Sequence, residues 1–294
     1  MSSHSPATPT THDDAQRIEF VLRPMDMTQI LNASISLLLG SPILFLAAVV
    51  LANLPLLLWQ AAALAAPDAW FVPQRYRSAQ DLYGMLGTAA RLVYSGRIDP
   101  PSLIALLVSL LSSLLQSAVL TSLIAARYRG RPLSLLDALA NTQRALPRLL
   151  CAYAIPLIVM AAAAWLYANS NATAVLAVAL LVAAFPTWLF LTQTTMLEGA
   201  GPLAAWKRST TLFRRRAAIL FGTWLTYELI FVVISAIPTF VVGMASALYP
   251  PGPRLNTLIV LAGNLAILLI EPLRESCATL LYFEQRRRTR DLDA

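Results

Sequence analysis

From Pro42 to Ala66 the chain runs for 25 residues without one charged side chain. A helix needs about 20 apolar residues to cross the roughly 30 Å of a bilayer's hydrocarbon, so this stretch alone is long enough to span a membrane. Five more apolar runs follow: Leu103–Ala126, Leu149–Ala168, Thr173–Leu197, Ala217–Leu248 and Leu255–Phe283. In lipid the backbone must satisfy its polar groups within each segment, which leaves the helix as the form such runs take. The chain of 294 residues is 57% hydrophobic and 13% charged, more apolar surface than a soluble domain of this size can cover. The sequence predicts an all-α fold, a polytopic membrane helix bundle with six transmembrane helices.

Orientation follows from the cations. All but one of the 22 Lys and Arg residues are Arg, and they gather at the ends of apolar runs. Seventeen fall on the side that holds both termini and five on the other, which predicts cytoplasmic N and C termini. A net charge of +7 and a pI near 9.8 would elsewhere suggest a nucleic-acid partner. Placed at helix ends, the same charges read as topology signals and phospholipid phosphate contacts, and no nucleic acid is expected. Residues 1–18, rich in Ser, Thr, Pro and Asp, are expected to be a disordered cytoplasmic tail. Residues 19–283 form the transmembrane domain and residues 284–294 a basic cytoplasmic tail. The N-terminal tail lacks a basic start and a small-residue cleavage site and is not read as a signal peptide. His4 and His12 lie in that tail, and Cys151 and Cys277 belong to no metal or redox spacing, so neither a metal nor a cofactor is expected.

The stretch Leu197 to Gly222 reads as a cytoplasmic elbow. An apolar run stops at Glu198, turns through Gly199-Ala200-Gly201-Pro202 and restarts near Ala217. Pro202 suits a first helical position, where its missing N–H is no loss. Helical spacing puts Leu203, Trp206, Phe213 and Ala217 on one face, with Lys207, Arg208, Arg214 and Arg215 mostly on the other. Arg127 to Arg148 repeats the pattern, with a turn at Gly130, a start at Pro132, and Leu135, Leu136, Leu139 and Leu146 on one face. A third elbow opens at Arg23-Pro24, with Ile30, Leu31, Ile35 and Leu38 together. Aligned on Pro24, Pro132 and Pro202, they predict three parallel units, each an elbow helix plus a two-helix hairpin. The connection of residues 67–102 is expected to hold an interfacial helix, with a substrate lid as the alternative. Candidate contacts to lipid or a partner are Arg127, Arg129, Arg131, Lys207, Arg208, Arg214, Arg215, Arg216, Arg286, Arg287 and Arg288. Glu198, Gly201 and Pro202 define the elbow itself, and Glu198 is expected to act as an architectural tie to an elbow cation.

Ionisable groups inside a span are costly and mark candidate functional positions. Glu228 lies about 16 Å along its helix from Ala217, close to the midplane. It is expected to bond Asn264, Gln116 or both. Glu271, Arg274 and Glu275 lie nearer the inner surface, with Glu271 and Arg274 spaced to pair across one turn. Pro272 should bend the helix there. In the second span Ser109, Ser112, Ser113, Gln116, Ser117, Thr121 and Ser122 allow close helix approach, or line a path.

The elbow LEGAGPLAAWKRSTTLFRRR, the opening RPMDMTQILNASISLL and the closing EPLRESCATLLYFEQRRRTRDLD resemble a bacterial six-helix membrane family. That family includes the membrane domain of glycerophosphoryl diester phosphodiesterases. The resemblance implies an inner-membrane helical module; the catalytic barrel of those enzymes has no counterpart in this sequence. No P-loop, GxSxG or HExxH is present, so no catalytic activity is expected. The leading expectation is a module that binds anionic lipid headgroups or a membrane protein partner through its basic elbows. The alternative is a transporter or channel component with a midplane polar site at Glu228. A cavity reaching Glu228 favours the second, and a closed apolar interior the first.

Overall fold

The computed structural model describes residues 25–65, 100–131, 133–169, 171–214, 216–248, 268 and 270–291. Among these every regular element is a helix. In chain order they are α1 (Met27–Leu39), α2 (Pro42–Ala52), α3 (Leu54–Ala65), α4 (Pro100–Tyr128), α5 (Leu135–Asn169), α6 (Asn171–Trp188), α7 (Leu191–Leu197), α8 (Pro202–Arg214), α9 (Ala217–Leu248) and α10 (Glu271–Asp291).

Four segments are long and apolar enough to cross a bilayer: Leu107–Tyr128, Leu135–Ala163, Val175–Leu197 and Ala217–Ile234. The pair α1 and α2 makes a fifth if its bend of 87° is counted within one span. These are the dimensions of a membrane protein. The remainder of the six-span, three-unit reading falls partly on residues outside the described set, as do the connection before Pro100, Pro24, Pro132, Arg215 and Asn264.

Local chemistry explains the first elbow. Asp26 caps α1 by accepting the Gln29 amide at 2.8 Å, and the Gln29 side chain accepts the Asp26 amide at 3.1 Å, a reciprocal capping box. Ile30, Ala33 and Ser34 are buried, whereas Ile35 turns outward.

The uncharged run Pro42–Ala66, expected as one rod, is two helices parted at Asn53. Pro55 has no N–H to give the Leu51 carbonyl. The Asn53 side chain bonds the Val49 carbonyl at 2.8 Å and also reaches Gln116. The second elbow is likewise not a separate helix, because α5 runs unbroken through Pro147 and Pro156 for 35 residues. A proline costs the helix one hydrogen bond, and the bonds on either side hold it. The fourth expected span breaks at Leu189 and Phe190 into α6 and α7. There the Ser209 hydroxyl of α8 takes the Phe190 amide at 3.2 Å and donates to the Pro186 carbonyl at 2.9 Å, replacing the direct helical bond between them.

Of the apolar faces read from the spacing, Leu136 and Leu203 point away from the protein and Phe213 packs into it. Leu136 is 76% exposed and Leu203 66%, while the buried stripes are Ala138, Thr142, Ala145 and Leu149 on α5 and Ala205, Ser209, Leu212 and Phe213 on α8. In a membrane, small residues let helices close on one another and large aliphatic ones can face lipid. Helix α4 is central: 56% of its span is buried, against 17% for that of α9, whose Leu225, Leu229, Val232 and Val233 point outward. One apolar cluster joins α1, α8, α9 and α10 around Tyr282 and Leu280, and a second joins α2 to α4 around Phe45 and Leu120.

Candidate functional site: an acidic cavity between α4, α7, α9 and α10

The break between α6 and α7, the stagger of α4 and the start of α10 leave a cavity of about 280 Å³. Helix α4 contributes Ser113, Gln116 and Ser117, α7 contributes Thr192 and Gln193, and α9 contributes Tyr227 and Glu228. Helix α10 brings Glu271, Arg274 and Glu275 on its first turns. Aromatic side chains line it as well, Phe185, Trp188, Trp224 and Phe231, with the Phe185 and Trp224 rings 4.3 Å apart between centroids.

Five of the six residues read from the sequence as intramembrane polar positions therefore meet here: Gln116, Glu228, Glu271, Arg274 and Glu275. Their pairing corrects the expected Glu228–Gln116 bond, while the Asn264 alternative lies outside the described residues. Glu228 takes Arg274 at 3.3 Å, and Gln116 takes Asn53. The Glu271–Arg274 pair forms as the spacing predicts, at 3.3 Å. One guanidinium thus answers two carboxylates, and Glu275 is a third on the same wall. The Ser117 hydroxyl donates to Thr192 Oγ1 at 3.3 Å, and Thr192 lies 2.7 Å from the Tyr153 hydroxyl. The Oε2 of Glu275 and the Oε1 of Gln193 are buried with no hydrogen-bond partner. The sequence reading passed over Gln193, Thr192, Tyr153 and the aromatic lining. The polar run Thr192–Thr195 inside an apolar span was the available signal. Among the described residues no group of three or more His, Cys, Asp and Glu could hold a metal ion.

A second constellation lies at the arginine-bearing ends of the helices. Glu198 caps α7 and accepts the Tyr282 hydroxyl at 2.6 Å. Arg208 of α8 stands 3.5 Å from it and Arg286 of α10 3.6 Å, so the expected tie to an elbow cation is there. Gly199 adopts φ +65° and its carbonyl accepts Arg148 at 3.0 Å. Gly201 has a negative φ and open space around it, so the glycine that the turn requires is Gly199. Pro202 opens α8 at its first position, as expected. Glu284, 4% exposed, accepts the Met25 amide at 3.2 Å and bonds Arg288, with Arg287 at 3.7 Å. The expected basic tail is a continuation of α10 as far as Asp291.

Arg127, Arg129, Arg131, Lys207 and Arg214 are exposed, and Arg216 is half-buried. Arg129 lies over the Phe283 ring, 5.1 Å from its centroid. Partial burial, then the charges of Arg286 and Arg131, lower its guanidinium pKa from the usual value. Several of the other cations named from the sequence are bound into the protein: Arg208 and Arg286 on Glu198, Arg287 and Arg288 on Glu284.

No protein-family model, no curated protein and no solved structure matches the chain.

Proposed function

We propose that this chain is a multi-pass membrane protein that binds a solute in the cavity around Glu228 and Arg274 and works as a transporter or a component of one. The observation that carries this reading is the convergence of Gln116, Glu228, Glu271, Arg274 and Glu275 on one cavity of about 280 Å³. Charges within a span are retained at a cost in free energy, and grouping them around open space is what a solute path needs. A bundle built only to present basic elbows has no use for them. The reading includes no catalytic step. Cation placement supports a bacterial inner membrane with both termini cytoplasmic, and the elbow motifs support kinship with the six-helix family named above.

The test is solvent access. Ser117→Cys, in a background of Cys151→Ser and Cys277→Ala, is exposed to a membrane-impermeant thiol reagent in right-side-out and inside-out vesicles. Labelling from at least one face is expected. Protection from both faces would remove the transport reading.

A second reading has its own observation. Arg127, Arg129 and Arg131 are exposed, and Arg129 lies near Arg131 and Arg286, cations suited to anionic headgroups. Replacing the three exposed arginines by Ala should weaken retention of anionic lipid in mild detergent while leaving cavity access unchanged.

A further inference from the structure

Resting on the solute-binding reading, we infer that the cavity takes a small organic cation that carries N–H donors, an alkyl- or arylalkylammonium. Three features of the site converge on that class. Three buried polar atoms of its lining residues have no hydrogen-bond partner: Glu275 Oε2 and Gln193 Oε1, which are acceptors, and Ser113 Oγ, a hydroxyl that can donate or accept; the Gln193 side chain belongs to a residue only 3% exposed. Buried acceptors without partners call for a donor, and a primary ammonium offers three. Among the described lining residues three carboxyl groups, those of Glu228, Glu271 and Glu275, stand with one cation, Arg274. An anion would meet that excess as repulsion.

The aromatic lining supplies the third feature. Trp188, Trp224, Phe185 and Phe231 line the cavity, and aromatic rings attract a cation and pack against its apolar portion. A space of about 280 Å³ exceeds what one water or a bare ion fills. No metal-binding cluster is present among the described residues. A quaternary ammonium fits the charge and the rings but brings no N–H, so it leaves both acceptors unsatisfied. Arg274 already fills the Glu228–Glu271 side of the cavity with a guanidinium. The ligand's ammonium belongs on the Glu275–Gln193 side.

The experiment is equilibrium binding of radiolabelled phenylethylamine to the detergent-purified full chain, with tetramethylammonium and phenylpropionate as competitors. Phenylethylamine should bind saturably, and neither competitor should displace it. Gln193→Leu and Glu275→Gln, each checked for an unchanged melting temperature, should each weaken binding about tenfold, the scale of a hydrogen bond to a charged group. Absence of phenylethylamine binding, or equal binding by both variants, overturns the assignment. Displacement by phenylpropionate or tetramethylammonium that depends on Gln193 leaves the cavity as a solute site but rejects the N–H cation. If no probe binds and Ser117→Cys is sealed from both faces, the solute-binding reading fails with it.

Discussion

The Ser209 hydroxyl sits between the Phe190 amide and the carbonyl that a regular helix would offer it, at 3.2 Å from the first and 2.9 Å from the second. One elbow side chain thus stands in for a turn of backbone inside a neighbouring span, and the opening it holds lies on the cavity wall at Phe190. Ser209→Ala leaves a buried donor and an acceptor without that bridge and should cost about 1–3 kcal/mol. Thermal unfolding in detergent reads the loss, and Ser209→Thr, which keeps the hydroxyl, should recover most of it.

Glu198 gathers Tyr282, Arg208 and Arg286, yet its three contacts are not equal. Tyr282 is fully buried and donates at 2.6 Å, whereas the Arg208 and Arg286 side chains are 33% and 26% exposed. Tyr282→Phe should therefore destabilise by about 0.5–1.5 kcal/mol, and Arg208→Ala by no more than about 1 kcal/mol. A double-mutant cycle with Glu198→Gln measures both couplings. A larger coupling to Arg208 than to Tyr282 would contradict the assignment of the hydroxyl as the main contact.

The two elbow glycines give a paired test. Gly199 holds φ +65°, which costs a residue with a Cβ about 1–2 kcal/mol. At Gly201 a Cβ meets nothing within 4 Å. Gly199→Ala should lower the melting temperature measurably and Gly201→Ala should leave it within error.

Glu284 is a charge removed from solvent and answered by Arg287, Arg288 and the Met25 amide. Glu284→Ala should cost about 3–5 kcal/mol, because it strands buried partners rather than an exposed pair. The loss should show as lower yield and earlier unfolding. Arg288→Ala, whose side chain is 31% exposed, should be milder.

Periodicity and charge were enough to place the bounds of α9, the start of α8 at Pro202 and the pairing of Glu271 with Arg274, since each depends on residues close in the chain. The partner of Glu228 was not legible. Glu228 and Arg274 lie on separate helices whose rotation about their axes is decided by packing, and a helical wheel carries no information on that. Spacing places Leu136 and Leu203 on apolar faces but does not tell a face that meets lipid from one that meets protein. The protein-facing stripe is made by Ser209, Ala205 and Ala138, which let backbones approach. Gln193 went unnoticed for a related reason, since an amide in an apolar run has meaning only once its neighbours across the bundle are known.

Helix α1 draws its closing contacts from the far end of the polypeptide: the Met25 amide meets Glu284 across 259 positions, and the Met27 carbonyl meets the Tyr227 hydroxyl across 200. At translation rates of about 5–20 residues per second, roughly 10–40 s of synthesis separate Met27 from Tyr227 and roughly 13–50 s separate Met25 from Glu284. During biogenesis the opening elbow gains its Tyr227 contact once α9 is made and its Glu284 contact only after α10 has left the ribosome. A truncation that spares every preceding span but removes Glu284 would leave that last contact permanently unmade.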